Sequence, residues 1–225
     1  MHSLDRPVWA ALSTCHAHFA QGGDLARRFE RDINVFASAR DDSPAALSAL
    51  ADLVRPGESV FVIQAAPIRI PPGLIAVREA RGVQMVAASG TPFEPAREDM
   101  IALGDADAAQ MLALATLTEP GPFLSRTHVM GPFLGIRIGG QLAAMAGERL
   151  RFPGCTEVSA VCTHPDFRGR GFARGLSAAV AQRIQARGDQ AFLHAWKTNR
   201  AAIALYASLG FVLRTEVHVM QLARP

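Results

Sequence analysis

Apolar positions in this chain recur with two spacings, one helical and one extended. Over residues 171–187, Phe172, Leu176, Val180 and Ile184 return every four residues, while Arg174, Arg183 and Arg187 lie off that stripe. The spacing predicts a helix laid on a sheet and stopped by Gly188. Residues 200–209 predict a second helix, opened by Asn199 as N-cap and closed by Gly210. Compact apolar runs at 59–65, 157–163 and 190–196 predict buried strands. Residues 133–138 and 141–149 predict a hairpin around Gly139-Gly140, and 211–222 a final strand pair. A short strand at 101–103 and a helix opened by Asp105 and running to 117 precede them, followed by a linker at 118–124.

The first part of the chain reads less cleanly. Residues 7–20 and 44–54 predict helices, the second with Ser43 as N-cap and Pro44 at the first helical position. Residues 74–78 and 83–87 predict two strands with Arg81-Gly82 near the turn between them. Residues 88–95 gather small residues, Gly and Pro between apolar segments, which places a domain boundary there. The expectation is a smaller N-terminal α/β domain over 1–95 and a second α/β domain over 96–225.

Composition narrows the classes. With 49% hydrophobic and 19% charged residues the chain can bury a proper core, and no apolar run approaches the roughly 18 residues of a membrane span. Met1 to Arg6 leads into no unbroken apolar segment, so no secretory signal is expected and the cytoplasm is the default. Cys15, Cys155 and Cys162 form neither a CxxC pair nor an even set, which suits reduced thiols. A net charge of +3 without an aromatic-interleaved basic run marks no nucleic-acid surface. His16 and His18 stand without clustered partners, so no metal is expected.

Chemistry concentrates between the 157–163 strand and the 171–187 helix, where the chain reads Val161-Cys-Thr-His-Pro-Asp-Phe-Arg-Gly-Arg-Gly-Phe-Ala173. A glycine turn feeding a helix presents unpaired N–H groups and the positive end of the helix dipole, and Arg168, Arg170 and Arg174 add full charge. Such a junction suits a phosphate group. A P-loop would need Gly-Lys followed by Ser or Thr, which is absent. A dinucleotide fingerprint would need glycine where Arg174 stands, and an acid at the end of the next strand, whereas Asp189 precedes it.

The hexad Arg168-Gly-Arg-Gly171-Phe-Ala173 resembles the cofactor motif of the GNAT acyltransferases, which runs Gln or Arg, two residues, Gly, one residue, Gly or Ala. The resemblance extends through Glu157 to Pro165 before it and Asn199 to Phe211 after it, covers about 97–224, and is nearest to the C-terminal domains of glycine acyltransferase-like enzymes. It implies a mixed, centrally splayed sheet flanked by helices and acetyl-CoA as co-substrate. The pyrophosphate would lie on N–H groups of Arg168, Gly169, Arg170, Gly171, Phe172 and Ala173, with Arg174 adding charge, and pantetheine would pair with Val161 and Thr163. Asn199 would contact the pantetheine or diphosphate arm, and the Cys162 N–H would polarise the thioester carbonyl.

For acid catalysis the candidate is Tyr206, seven residues and nearly two turns after Asn199 and the chain's one tyrosine. A phenol of pKa about 10 can donate to a leaving thiolate. Glu157 is the first candidate base, its pKa expected to be raised by apolar neighbours, and Glu148 is the second. Cys162 lacks a histidine placed to activate it, so direct transfer is expected rather than an acyl-enzyme. His164, beside the loop, reads as a solvated turn residue.

A fainter echo links Gly73-Leu-Ile-Ala-Val-Arg-Glu and Val83-Gln-Met-Val with Gly210-Phe-Val-Leu-Arg-Thr-Glu and Val219-Met-Gln-Leu. It leaves two readings of the N-terminal part, a degenerate copy of the same fold or an unrelated cap over the acceptor side. The function expected is acetyl transfer from acetyl-CoA to a primary amine of a small molecule or peptide, by a monomer or homodimer; the alternative is a non-catalytic acyl-CoA sensor. Acceptor choice is expected to depend on 118–124, 126–132 and the N-terminal part.

Overall fold

The computed structural model describes residues 2–88, 90–93 and 99–225. Helix α1 (Pro7–Leu12) ends well before residue 20, where a longer helix was expected. The Thr14 hydroxyl donates back to Ala10 O and the His16 N–H to Ala11 O, which closes the turn, and Ala20 already pairs in a sheet. Strands β1 (Ala20–Gly22), β2 (Ala26–Phe29) and β3 (Ala37–Ala39) form a small antiparallel sheet. Helix α2 (Pro44–Asp52) opens as expected, Ser43 Oγ accepting from the Ala46 N–H. Strand β4 (Ser59–Gln64) follows, joined to the small sheet by a bridge between Phe36 and Phe61.

Strand β5 (Ile75–Ala87) is one strand rather than the two expected on either side of Arg81-Gly82. The chain runs straight through Gly82 because that residue is paired on both sides, with Trp196 and Val217. A Cβ there would meet Ala195 O and Val217 Cγ2 at 3.1 Å, so this glycine serves close strand approach and not a turn.

Beyond the undescribed residues come β6 (Ile101–Leu103), α3 (Ala108–Thr118), β7 (Phe133–Ile138), β8 (Gln141–Phe152), β9 (Cys155–Thr163), α4 (Phe172–Ala186), β10 (Gln190–Trp196), α5 (Arg200–Ser208) and β11 (Phe211–Ala223). The expected final strand pair is the single strand β11. Its register slips between Leu213 and Thr215, and the intervening Arg214 turns inward to Gln84 and Asp5.

The large sheet has the order β4-β11-β5-β10-β9-β8-β7-β6. Only β9 and β10 run parallel, and they pair from Cys155 with Gln190 to Glu157 with Phe192 and then separate. This is the central splay. The boundary expected at residues 95 and 96 lies outside the described residues, and the sheet runs across it. The segment expected as a separate domain over 1–95 gives β4 and β5 to the common sheet, with β5 between β10 and β11. Without β5, strand β10 would present an open edge, and pairing from Val86–Phe192 to Gly82–Trp196 closes it. The two segments that echo one another in sequence lie side by side, since β5 and β11 pair antiparallel along their length.

One face of the sheet buries Val83, Met85, Val158 and Leu193 against Phe172, Leu176, Val180 and Ile184 of α4, the stripe read from the sequence. The other face buries Phe152, Phe192, Val217 and Val219 against Leu4, Val8, Leu12, Phe29, Ile33 and Phe36 of the N-terminal part. At about 1.5–3 kcal/mol for each large apolar side chain, both faces are needed to hold the splayed sheet. Among the described residues, no helix is long and apolar enough to cross a membrane.

Candidate active site

Where β9 and β10 separate, a cavity of about 1140 Å³ opens. Its size lies just above the usual range for a pocket that holds one small ligand. All the expected cofactor residues line it: Val161, Cys162, Thr163, Arg168, Gly169, Arg170, Gly171, Phe172, Ala173, Arg174 and Asn199, and so does Tyr206. Residues 118–124 of the linker line it too, whereas none of 126–132 does.

The strand edge at the opening follows from antiparallel alternation. The His164 N–H donates to Ala143 O, and Cys162 stands opposite Met145 on β8. The alternation then turns the Cys162 N–H toward β8 and those of Val161 and Thr163 toward the opening. Val161 and Thr163 thus turn their N–H groups to the opening, whereas the Cys162 N–H, expected to polarise the thioester, does not face the cavity. Burial pushes the Cys162 thiol up to about 11, which keeps it a thiol and agrees with direct transfer. The Thr163 hydroxyl is buried and meets no partner among the described residues.

At the loop, Gly169 and Gly171 have φ of 77° and 76°, and a Cβ on either would meet nothing within 4 Å. Glycine is required here for its left-handed backbone and not for space. This conformation leaves the N–H groups of Gly169, Arg170 and Gly171 without backbone acceptors among the described residues, just ahead of the positive end of α4. Arg170 lies over the Phe167 ring, and Arg174 donates to Ser208 Oγ and O. On α5, Asn199 Oδ1 accepts from the Ala202 N–H at 3.1 Å, so the oxygen caps the helix while Nδ2 is left for the cavity. Tyr206, from the same helix, is 8% exposed with its ring edge-on to Phe211. Burial pushes its phenol up to about 12.

Neither glutamate stands where a base was expected. Glu148 is buried beside Arg187, the C-cap of α4, at 2.8 Å and does not line the cavity. Burial raises its pKa, with Arg187 opposing. Glu157 has 0% exposure and also does not line the cavity. Arg149 grips its carboxylate with two hydrogen bonds of 2.8 and 2.7 Å, the Leu150 N–H adds one at 3.3 Å, and His194 Nδ1 adds one at 2.7 Å. Burial would raise its pKa, but the Arg149 charge and these hydrogen bonds outweigh it and hold the carboxyl at about 2, opposite to the direction expected.

Comparison with known proteins decides the family. A protein of Novosphingobium aromaticivorans assigned to the GNAT family as an acetyltransferase is 39% identical, with the match spanning 100% of both chains and a TM-score of 0.94. The chain belongs to the GNAT acetyltransferase family. The family model described as FR47-like protein matches residues 133–219. A GCN5-related N-acetyltransferase of Kribbella flavida shares the GNAT fold at 17% identity and a TM-score of 0.67, covering 100% of this chain and 96% of its own. One from Sphaerobacter thermophilus shares it at 15% and 0.54, covering 89% and 78%. No curated protein matches the chain.

GNAT acetyltransferases use acetyl-CoA, and the residues present fit it. The open N–H groups before α4, the free edge of β9 and the orphaned Thr163 hydroxyl form one continuous donor set along the cavity. Two groups of site residues escaped the sequence reading. His194 lines the cavity, and its only sequence signal is a polar residue alternating with Phe192 and Trp196 on one strand face. Val35, Phe36, Phe61, Ile63 and Arg78 reach the cavity from the N-terminal part, where no local pattern marks them.

Proposed function

We propose that the protein transfers the acetyl group of acetyl-CoA directly to a primary amine of a small molecule or peptide. The observation that carries this reading is a single cavity that joins the phosphate-suited loop, the unpaired edge of β9, a buried phenol and a histidine. A closer kinship with glycine acyltransferase-like domains belongs to the same reading, on the Asn199 to Phe211 pattern. So does a cytoplasmic setting, on three free cysteines.

When bound, acetyl-CoA supplies an activated thioester carbonyl. The N–H groups of the loop before α4 hold its pyrophosphate with Arg168 and Arg170, and Val161 and Thr163 align the pantetheine arm as an added strand. The amine nitrogen bonds to the carbonyl carbon, the carbon–sulfur bond breaks, and the amine sheds one proton. Tyr206 donates a hydrogen bond to the departing sulfur. With the phenol at about 12, full proton transfer to an ordinary thiolate of pKa about 8.5 would be uphill by roughly 5 kcal/mol. The phenol therefore acts mainly by hydrogen-bonding the developing charge in a site shielded from water.

The amine proton leaves to solvent, and His194 stands in the cavity wall as a positioning residue. Its tautomer follows from its neighbours: Gln84 Oε1 accepts from Arg214 at 2.8 Å, so Gln84 Nε2 donates to Leu4 O at 2.9 Å and to His194 Nε2 at 3.0 Å. Nδ1 therefore carries the proton given to Glu157, and Nε2 accepts from Gln84, so both ring nitrogens are engaged and the ring is held fixed. Glu157 and Gln84 act as positioning residues that orient the ring from either side.

Release of free thiol from acetyl-CoA, followed over a panel of primary amines, tests this function. Turnover with at least one amine is expected. Tight acetyl-CoA binding with no thiol release from any amine would leave the protein a non-catalytic acyl-CoA sensor.

A further inference from the structure

The charges lining the cavity are unevenly distributed in a way that bears on the acceptor. Five arginines, Arg78, Arg149, Arg168, Arg170 and Arg174, face one carboxylate, Glu119. Arg168 and Arg170 belong to the loop before α4, and Arg174 to the first turn of that helix. Arg149 is consumed by its two hydrogen bonds to the buried Glu157. Arg78 is left.

Arg78 stands on β5 four residues before Gly82, on the same strand face, and Gly82 is paired with Trp196 at the end of β10. The Arg78 guanidinium lies over the Trp196 indole at 5.9 Å. It has no ion pair or side-chain hydrogen bond among the described residues. A cation–π contact of this length draws the guanidinium toward the ring and leaves its N–H groups available for a planar anion. The walls beside it are apolar: Phe36, Phe61, Ile63, Val217 and Val219. Beside Arg78 a second cationic group on an acceptor would meet like charge, whereas an anionic group would find an unspent arginine.

We infer that the acceptor amine carries a carboxylate on an apolar body, the apolar amino acids being the simplest members of the class, and that Arg78 binds the carboxylate. This rests on the acetyl-transfer reading. The rest of the cavity supports the division of labour: phosphate is held at the α4 end, the reacting groups lie at the splay, and carboxylate recognition lies on the N-terminal strand β5.

The test measures thiol release from acetyl-CoA with phenylalanine and leucine, with their carboxamides, and with spermidine and a lysine peptide, for the wild type and Arg78→Gln. The expected result is a kcat/KM for acid over amide of roughly ten- to a hundredfold in the wild type, the range for a charge-assisted pair at a half-open site, and a ratio near one in Arg78→Gln. Arg78→Lys should keep part of the preference. Equal rates for acid and amide in the wild type, or an unchanged ratio in Arg78→Gln, would overturn the inference. Turnover confined to spermidine or the lysine peptide would overturn it while leaving acetyl transfer standing. Acetyl-CoA binding with no thiol release from any of these amines or from a broader panel would overturn acetyl transfer itself, and the inference with it.

Discussion

Glu157 Oε1 accepts a 2.7 Å hydrogen bond from Nδ1 of His194, and of the two residues only His194 reaches the cavity. A carboxylate that cannot touch the acceptor is thus coupled to it through one imidazole. His194→Gln removes the ring that Glu157 and Gln84 hold in the cavity wall, and is expected to lower kcat/KM for the amine roughly tenfold while acetyl-CoA affinity, measured by calorimetry, stays within a few fold. In wild type and variant alike the rate should climb with pH as more of the amine is already deprotonated. A variant as fast as the wild type at pH 7 would remove His194 from the reaction.

Glu157 also ties stability to acid. Its folded pKa of about 2 lies below the ordinary 4.5, so its contribution is fully present above pH of about 4.5 and is lost as pH falls toward 2. Urea unfolding of the wild type should show this decline across that window. In Glu157→Gln the decline should flatten, and overall stability should drop by about 3–5 kcal/mol because Arg149 is left buried beside an uncharged amide. Identical acid profiles for the two proteins would contradict the Arg149–Glu157–His194 arrangement.

Tyr206→Phe is expected to reduce kcat roughly ten- to a thousandfold with little change in acetyl-CoA affinity. Because the phenol sits at about 12, ionisation of Tyr206 should cost the wild type no activity until pH nears that value. Loss of activity centred near pH 10 that disappears in Tyr206→Phe would mean that the phenol is solvated.

Gly171→Ala places a side chain at φ of 76°, a strain of about 1–2 kcal/mol that falls on the loop before α4. Acetyl-CoA affinity should fall at least tenfold with only a small loss in Tm. Arg168→Gln should weaken binding too, and more so at low salt than at high salt, since it removes charge and not shape. Unaltered affinity in both would show that the phosphate is bound elsewhere.

The helices α4 and α5, the caps at Ser43 and Asn199 and the glycine loop were all legible in the sequence, because a four-residue stripe, a cap and a left-handed φ are properties of neighbouring residues. The strands were less so. Gly82 reads locally as a turn and is in fact the point where three strands crowd together. Residues 1–95 read as a domain of their own, yet β5 became the neighbour of β10 through hydrogen bonds that span more than a hundred residues.

The same division runs through the site. By itself the sequence determined where a phosphate-suited loop and a phenol two helical turns from an asparagine would stand, since each depends on a contiguous segment. Tertiary structure alone decided that Glu157 lies behind His194 with its proton removed and that Arg78 looks into the cavity. Burial and the fields of partners remote in the chain set the charge state of a carboxylate, and sheet pairing sets where a strand points its side chains.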